Sequence, residues 1–208
     1  KSLIGFDDQF QAVPDLANWK QLSSSHYRFT LKNKNRKFHD GTYLSAKDVK
    51  ATYDFVLNPK NISPHKGSMW MIEEIEIIDD NTIDFKLSQI DPLFPGRLVI
   101  GIVPEKLILS QHDFNKKPIG SGPLRFIGRK DESSLRLGRI KDNQVIEFIT
   151  LKDATVRVLK LLRGEIDLVQ GDLPPEIIAW LDKKKSVAIK KKRGDTFTYI
   201  GFNLEDTT

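Results

Sequence analysis

Apolar and polar positions alternate along the first forty residues and then switch to helical spacing. Leu3-Ile4-Gly5-Phe6 reads as a strand, and residues 14–19, ending in Asn18-Trp19, read as a loop with an apolar anchor. Tyr27, Phe29 and Leu31 alternate with His26, Arg28 and Thr30, which predicts a strand with one apolar face. Phe38-His39-Asp40-Gly41 is expected to end a short strand in a tight bend, because glycine reaches positive φ without a Cβ clash. Ser45 through Asp48 has the form of a capping box, and Val49, Tyr53, Val56 and Leu57 follow on one helical face. Asn58-Pro59 stops that helix.

The next signal is a hairpin over residues 72–88. Ile75 and Ile77 alternate with glutamates, Asp79 to Thr82 turns, and Ile83, Phe85 and Leu87 alternate with Asp84 and Lys86. Pro92, Pro95 and Gly96 break the chain before the apolar run Leu98 to Val103, and Pro104 opens a short helix. Strands are expected at Leu124 to Gly128, Leu135 to Ile140 and Val145 to Leu151. Asp153 caps a helix through Val156, Leu159 and Leu162 that Gly164 closes. Ile166 to Val169 reads as a buried strand, so residues 153–169 suggest a partly parallel sheet. A helix carrying Ile177, Ile178 and Leu181 starts at Pro174-Pro175, and Phe197 to Asn203 reads as a last strand. The fold class expected is mixed α/β, or α+β.

Composition narrows the function more by exclusion than by assertion. The chain has 208 residues, 39% hydrophobic and 29% charged, and no cysteine, so disulfide scaffolds and thiolate metal sites are excluded. No apolar run approaches the length of a membrane span, and Lys1 to Phe6 is strand-like rather than a secretory leader. The net charge of +5 has its excess in Lys183 to Lys185 and in residues 190–193. No aromatic residues interleave with these runs, so a solvated helix end and a lysine-guarded edge fit them better than a nucleic-acid platform. His39-Asp40 reads as a turn rather than a base with its orienting carboxylate, and the four histidines lack zinc spacing. No catalytic residue, cofactor or metal is expected.

Some positions could line a ligand surface instead. Met69-Trp70-Met71 offers an aromatic group between two adaptable thioethers, although Trp70 could equally bury against the hairpin that follows. Gly120-Ser121-Gly122-Pro123 is too short for a dinucleotide loop and reads first as a tight turn that could present backbone amides.

The order of the segments carries a resemblance. Leu16 to Trp19, Tyr27 to Lys32, Lys37 to Thr42 and Leu44 to Val49 closely resemble the opening of the family 5 extracellular solute-binding proteins. Val103-Pro104, Pro118 to Pro123, Arg163 to Leu168 and Tyr199 to Asn203 follow in family order. Leu124 stands where the family often has an aromatic residue, and Leu137 to Val145 lacks a Tyr-Trp-Gly-type segment.

That resemblance implies the first lobe of a two-lobe, periplasmic-binding-protein type II-like fold. Residues 1–43 and 116–208 would form a mixed-sheet subdomain, residues 44–115 an inserted smaller one, and the second lobe would lie beyond this chain. It also implies binding without catalysis: a short peptide or related small solute is held in an interlobe cleft and delivered to an ABC permease in the inner membrane. Met69, Trp70, Ile100, Gly101, Gly120, Ser121, Gly122 and Pro123 would face that cleft. The implied protein is a monomer of the periplasm or a cell-surface lipoprotein, without nucleic acid as a partner. The same fold could serve a ligand sensor, and a basic nucleic-acid-binding domain is the remaining alternative.

Overall fold

Side-chain alternation in the first half of the chain builds one central sheet. The computed structural model describes residues 1–33 and 35–191, which places the expected strand at Phe197 to Asn203 and the end of the second lysine run outside the described residues. Two units are distinguished, Lys1–Ile149 and Thr150–Thr208.

In the first unit, β1 (Ile4–Phe6) pairs with β2 (Ala12–Pro14), and β3 (Ala17–Ser23) runs antiparallel to β4 (His26–Leu31). The hairpin of β5 (Ile72–Asp79) and β6 (Thr82–Leu87) then docks against β4, giving the order β3-β4-β6-β5. This sheet joins residues on both sides of the division expected between 43 and 44, so the opening strands and the 44–115 segment share one core. Ala17 to Trp19, expected as a loop, belongs to β3. Its polar composition gave no alternation to read, and it becomes a strand by pairing, with Trp19 opposite Phe29.

One face of the sheet is apolar. Tyr27, Phe29, Ile83 and Phe85 are 0–2% exposed, and α1 (Ala46–Leu57) lays Val49 and Tyr53 among the same buried cluster. Phe85 sits at the centre of an aromatic cluster. Its ring centroid lies 5.4 Å from Phe29, 5.4 Å from Tyr53 and 5.6 Å from Phe94, within the range of favourable edge and tilted contacts. The start of α1 uses the Asp48 carboxylate as expected, since it accepts from the Ser45 amide at 2.8 Å. The Ser45 hydroxyl also donates to Asp48, at 3.0 Å, and the other carboxylate oxygen takes the Glu105 amide at 2.9 Å. That last bond fixes α3 (Glu105–Leu109) to the helix start, which accounts for a buried aspartate at this position. Between the hairpin and α3 lies a single helical turn, α2 (Phe94–Arg97).

The first unit ends in a separate antiparallel sheet of β7 (Leu124–Gly128), β8 (Ser134–Arg139) and β9 (Val145–Ile149). In the second unit, α4 (Ala154–Leu162) is capped by the Asp153 side chain, which accepts from the Val156 amide at 2.8 Å. Gly164 has φ +71° just past its end. Alanine there would be forced into the left-handed region, so Gly164→Ala should cost about 1 kcal/mol by chemical denaturation. An unchanged midpoint would show that the backbone relaxes freely. The last described helix is α5 (Pro175–Leu181).

Two expectations are corrected here. Ile166 to Val169 is not a buried strand: Leu168 is 75% exposed, and no strand occurs among the described residues of the second unit. An apolar run becomes a strand only where a partner satisfies its amides and carbonyls, and none of the described residues supplies one. The parallel unit expected over 153–169 therefore falls away, and every strand pair among the described residues is antiparallel.

Candidate functional site

Two turns far apart in sequence are docked on one another. Gly41, at φ +86°, closes the bend after Phe38, whose amide donates to the Thr42 carbonyl. The bend presents His39 to the Gly120–Pro123 turn. The His39 amide donates to the Gly120 carbonyl at 2.8 Å, and the Gly120 amide donates back to Nδ1 at 3.4 Å. Because Nδ1 accepts, Nε2 carries the proton and donates to the Gly122 carbonyl at 3.0 Å. Arg36 Nη2 adds a bond of 3.0 Å to the Ser121 carbonyl. Ser121 is buried with its hydroxyl unpartnered, while Pro123 is exposed.

Asp40 faces elsewhere. It accepts from the Thr42 amide at 3.0 Å and hydroxyl at 2.6 Å and pairs with Lys106 at 3.1 Å. Burial alone would raise its carboxyl, but the Thr42 bonds and then Lys106 bring it below its ordinary value. His39 and Asp40 thus serve separate partners, and both act in holding turns.

A second group gathers around the turn that ends at Trp70. A 3-10 turn, Lys66–Met69, turns Met69 inward to 1% exposure within the core cluster and leaves Trp70 60% exposed. Met71 is also in the core. Of the two readings of this segment, burial of Trp70 against the hairpin is not what forms. The loop from Ile90 to Arg97 lies beside it, because the Ser88 amide donates to the Met71 carbonyl at 2.9 Å and Arg97 reaches the Ser68 carbonyl. Ile100 packs against the core and Gly101 is exposed, bridged to Ser2. The candidate positions therefore fall into a group at 69–70, a group at 120–123 and the 100–101 segment.

Sequence reasoning missed a charged network on the outer face of the central sheet. Arg28 and Asp84 are direct partners across β4 and β6, and Asp84 is 1% exposed. Its two carboxylate oxygens accept from Arg28 Nε and Nη2, each at 2.8 Å, and His26 Nε2 lies 2.8 Å from Oδ2. The Arg28 hydrogen bonds hold the Asp84 carboxyl below its ordinary value against the opposing effect of burial, with His26 helping. Lys86 pairs with Glu74 at 2.9 Å and Glu76 at 3.0 Å on the same face. The signal was the alternation that placed His26, Arg28, Asp84 and Lys86 opposite the apolar set. Among the described residues no cluster of three potential metal ligands occurs, and no helix is long and apolar enough to cross a membrane.

This arrangement of antiparallel sheets, short helices and buttressed turns is shared with solved bacterial binding proteins. The profile of the bacterial extracellular solute-binding proteins, family 5 middle region, matches residues 11–208, and the chain belongs to that family. It is 30% identical over 188 residues to the oligopeptide-binding protein AppA of Bacillus subtilis, covering 82% of this chain and 34% of the relative. The AppA structure, solved with a nonapeptide, matches with a TM-score of 0.73 at 26% identity over 80% of this chain and 36% of that one. NikZ of Campylobacter jejuni, solved with Ni(L-His), shares the fold with a TM-score of 0.79 at 24% identity, over 88% of this chain and 39% of that one. The glutathione-binding protein GsiB of Pectobacterium atrosepticum is 25% identical over 98% of this chain and 42% of the relative. The chain thus spans about two fifths of the length of the curated relatives it matches.

Proposed function

We infer that this chain forms one wall of an interlobe cleft in the substrate-binding component of an ABC importer. The protein captures short peptides and hands them to a membrane permease. The family match over residues 11–208 carries this reading, and the AppA relative, named as oligopeptide-binding, favours peptide over other solutes. Ligand would lie between this lobe and a second one, with main-chain hydrogen bonds giving affinity and roomy pockets tolerating varied side chains. Closure of the two lobes would make the loaded form distinguishable to the permease. The protein acts outside the cytoplasm, as a monomer in the periplasm or as a surface lipoprotein, and binds without catalysing a reaction.

On this lobe Trp70, the Ile100-Gly101 segment and the Gly120–Pro123 turn face the ligand, and Met69 supports Trp70 from the core side. A 60%-exposed tryptophan has lost little to its own fold and has most of its surface left to bury against a ligand. In the full-length protein, Trp70→Ala should therefore weaken peptide binding by about tenfold or more in calorimetric titration while leaving thermal stability nearly unchanged. Unchanged affinity would remove Trp70 from the cleft.

A further inference from the structure

The two lysine runs, separate in sequence, meet at one end of α5. That helix finishes at Leu181 and the chain turns directly. The Lys183 amide donates to the Trp180 carbonyl at 3.3 Å, and the Lys184 amide to the Leu181 carbonyl at 2.8 Å. Val187 and Ile189 then line one cavity with Ile178 and Leu181, so the apolar residues between the runs fold back on the helix. Beyond them the Lys191 ammonium pairs with the Asp182 carboxylate, which joins the second run to the foot of the first.

The charge gathered there is one-sided. Lys183, Lys184, Lys185 and Lys190 are exposed and have no carboxylate partner among the described residues, while Asp182 is already answered by Lys191. Lys192 and Arg193 extend the second run in sequence. Trp180 belongs to the same end. Its side chain is 43% exposed, and the Lys184 ammonium, one turn on, sits 4.6 Å from the ring centroid. Ammonium groups on flexible stems follow a diffuse field of negative charge better than they grip one anion. A single tryptophan is not the row of stacked rings that a nucleic-acid strand uses. Exposed lysines around a half-exposed tryptophan match the membrane–water interface instead, where indole rings settle at headgroup depth and lysine stems reach outward to phosphates.

We propose that this lysine cluster, with Trp180, docks the protein on an anionic lipid surface. The partner is a bilayer whose headgroups carry net negative phosphate. Each lysine near such a surface strengthens binding about fivefold, and the attraction weakens with salt because it reaches only about a Debye length. A binding protein held this way stays beside the membrane permease that receives its ligand. The proposal is independent of the peptide-binding reading, so either stands if the other fails.

The test is co-sedimentation of the full-length protein with vesicles of phosphatidylcholine alone, and with vesicles of phosphatidylcholine and phosphatidylglycerol in equal parts. Binding should favour the anionic vesicles by about a hundredfold or more at low salt and fall steeply as salt is added. The combined substitution Lys183→Gln, Lys184→Gln and Lys185→Gln should cut binding to the anionic vesicles by about a hundredfold. If that variant fails to fold, Lys190→Gln alone should cut it about fivefold. Trp180→Ala should weaken it several-fold. Equal binding to the two vesicles, binding that survives the lysine substitutions, or binding indifferent to Trp180→Ala would overturn the proposal. So would tighter binding to duplex DNA than to the anionic vesicles, which would make the patch a nucleic-acid surface.

Discussion

Truncating Phe85 to alanine should lower the stability of the first unit by about 3–5 kcal/mol, the largest loss expected from a single side chain here. Phe85 is fully buried and touches three other rings, those of Phe29, Tyr53 and Phe94. Those rings come from β4, from α1 and from the α2 turn, so a cavity at Phe85 cannot be closed by moving one element. The ring of Tyr53, whose hydroxyl is already buried without a partner, would line the void. Hydrogen exchange gives a local readout: amides of β4 and β6 should lose protection together. A loss below about 1 kcal/mol would mean that the aromatic cluster repacks.

Replacing Asp84 by asparagine should cost about 2–3 kcal/mol at neutral pH, checked by chemical denaturation at several pH values. Removing one partner of a buried pair usually costs more than this, because the other charge is left stranded. Here Arg28 is 39% and His26 27% exposed in their side chains, so both recover part of their hydration. The pH dependence has a definite sign. The folded-state value of Asp84 is depressed below its ordinary 3.8, so its stabilisation is complete above that value. It is lost as pH falls through the folded value, when the carboxylate gains a proton. The native protein should therefore lose stability below about pH 4 more steeply than Asp84→Asn does, and the two curves should converge in acid. Parallel curves would show that Asp84 contributes no charge-dependent stability.

The elements legible in the sequence were those that local chemistry specifies. The helix after Ser45, the hairpin over residues 72–88, and the helix from Asp153 to the positive-φ Gly164 each carry their own start, period and stop. The elements that were not legible depend on distant partners. Strand β3 is polar along most of its length and exists because β4 pairs with it. Ile166 to Val169 has the composition of a strand, yet no described residue offers it an edge. The same division applies to the candidate site. The Gly120–Pro123 turn could be found as a turn, but its clamp by His39 spans 81 residues and leaves no periodic trace. Trp70 stood out by type alone, and only the fold shows it exposed.

Mass spectrometry of the small molecules released from the full-length protein, purified from its own host and then denatured, tests the central claim most directly. A mixture of short peptides with free C-termini is the predicted result; a metal chelate or a sugar as the bound species would contradict it.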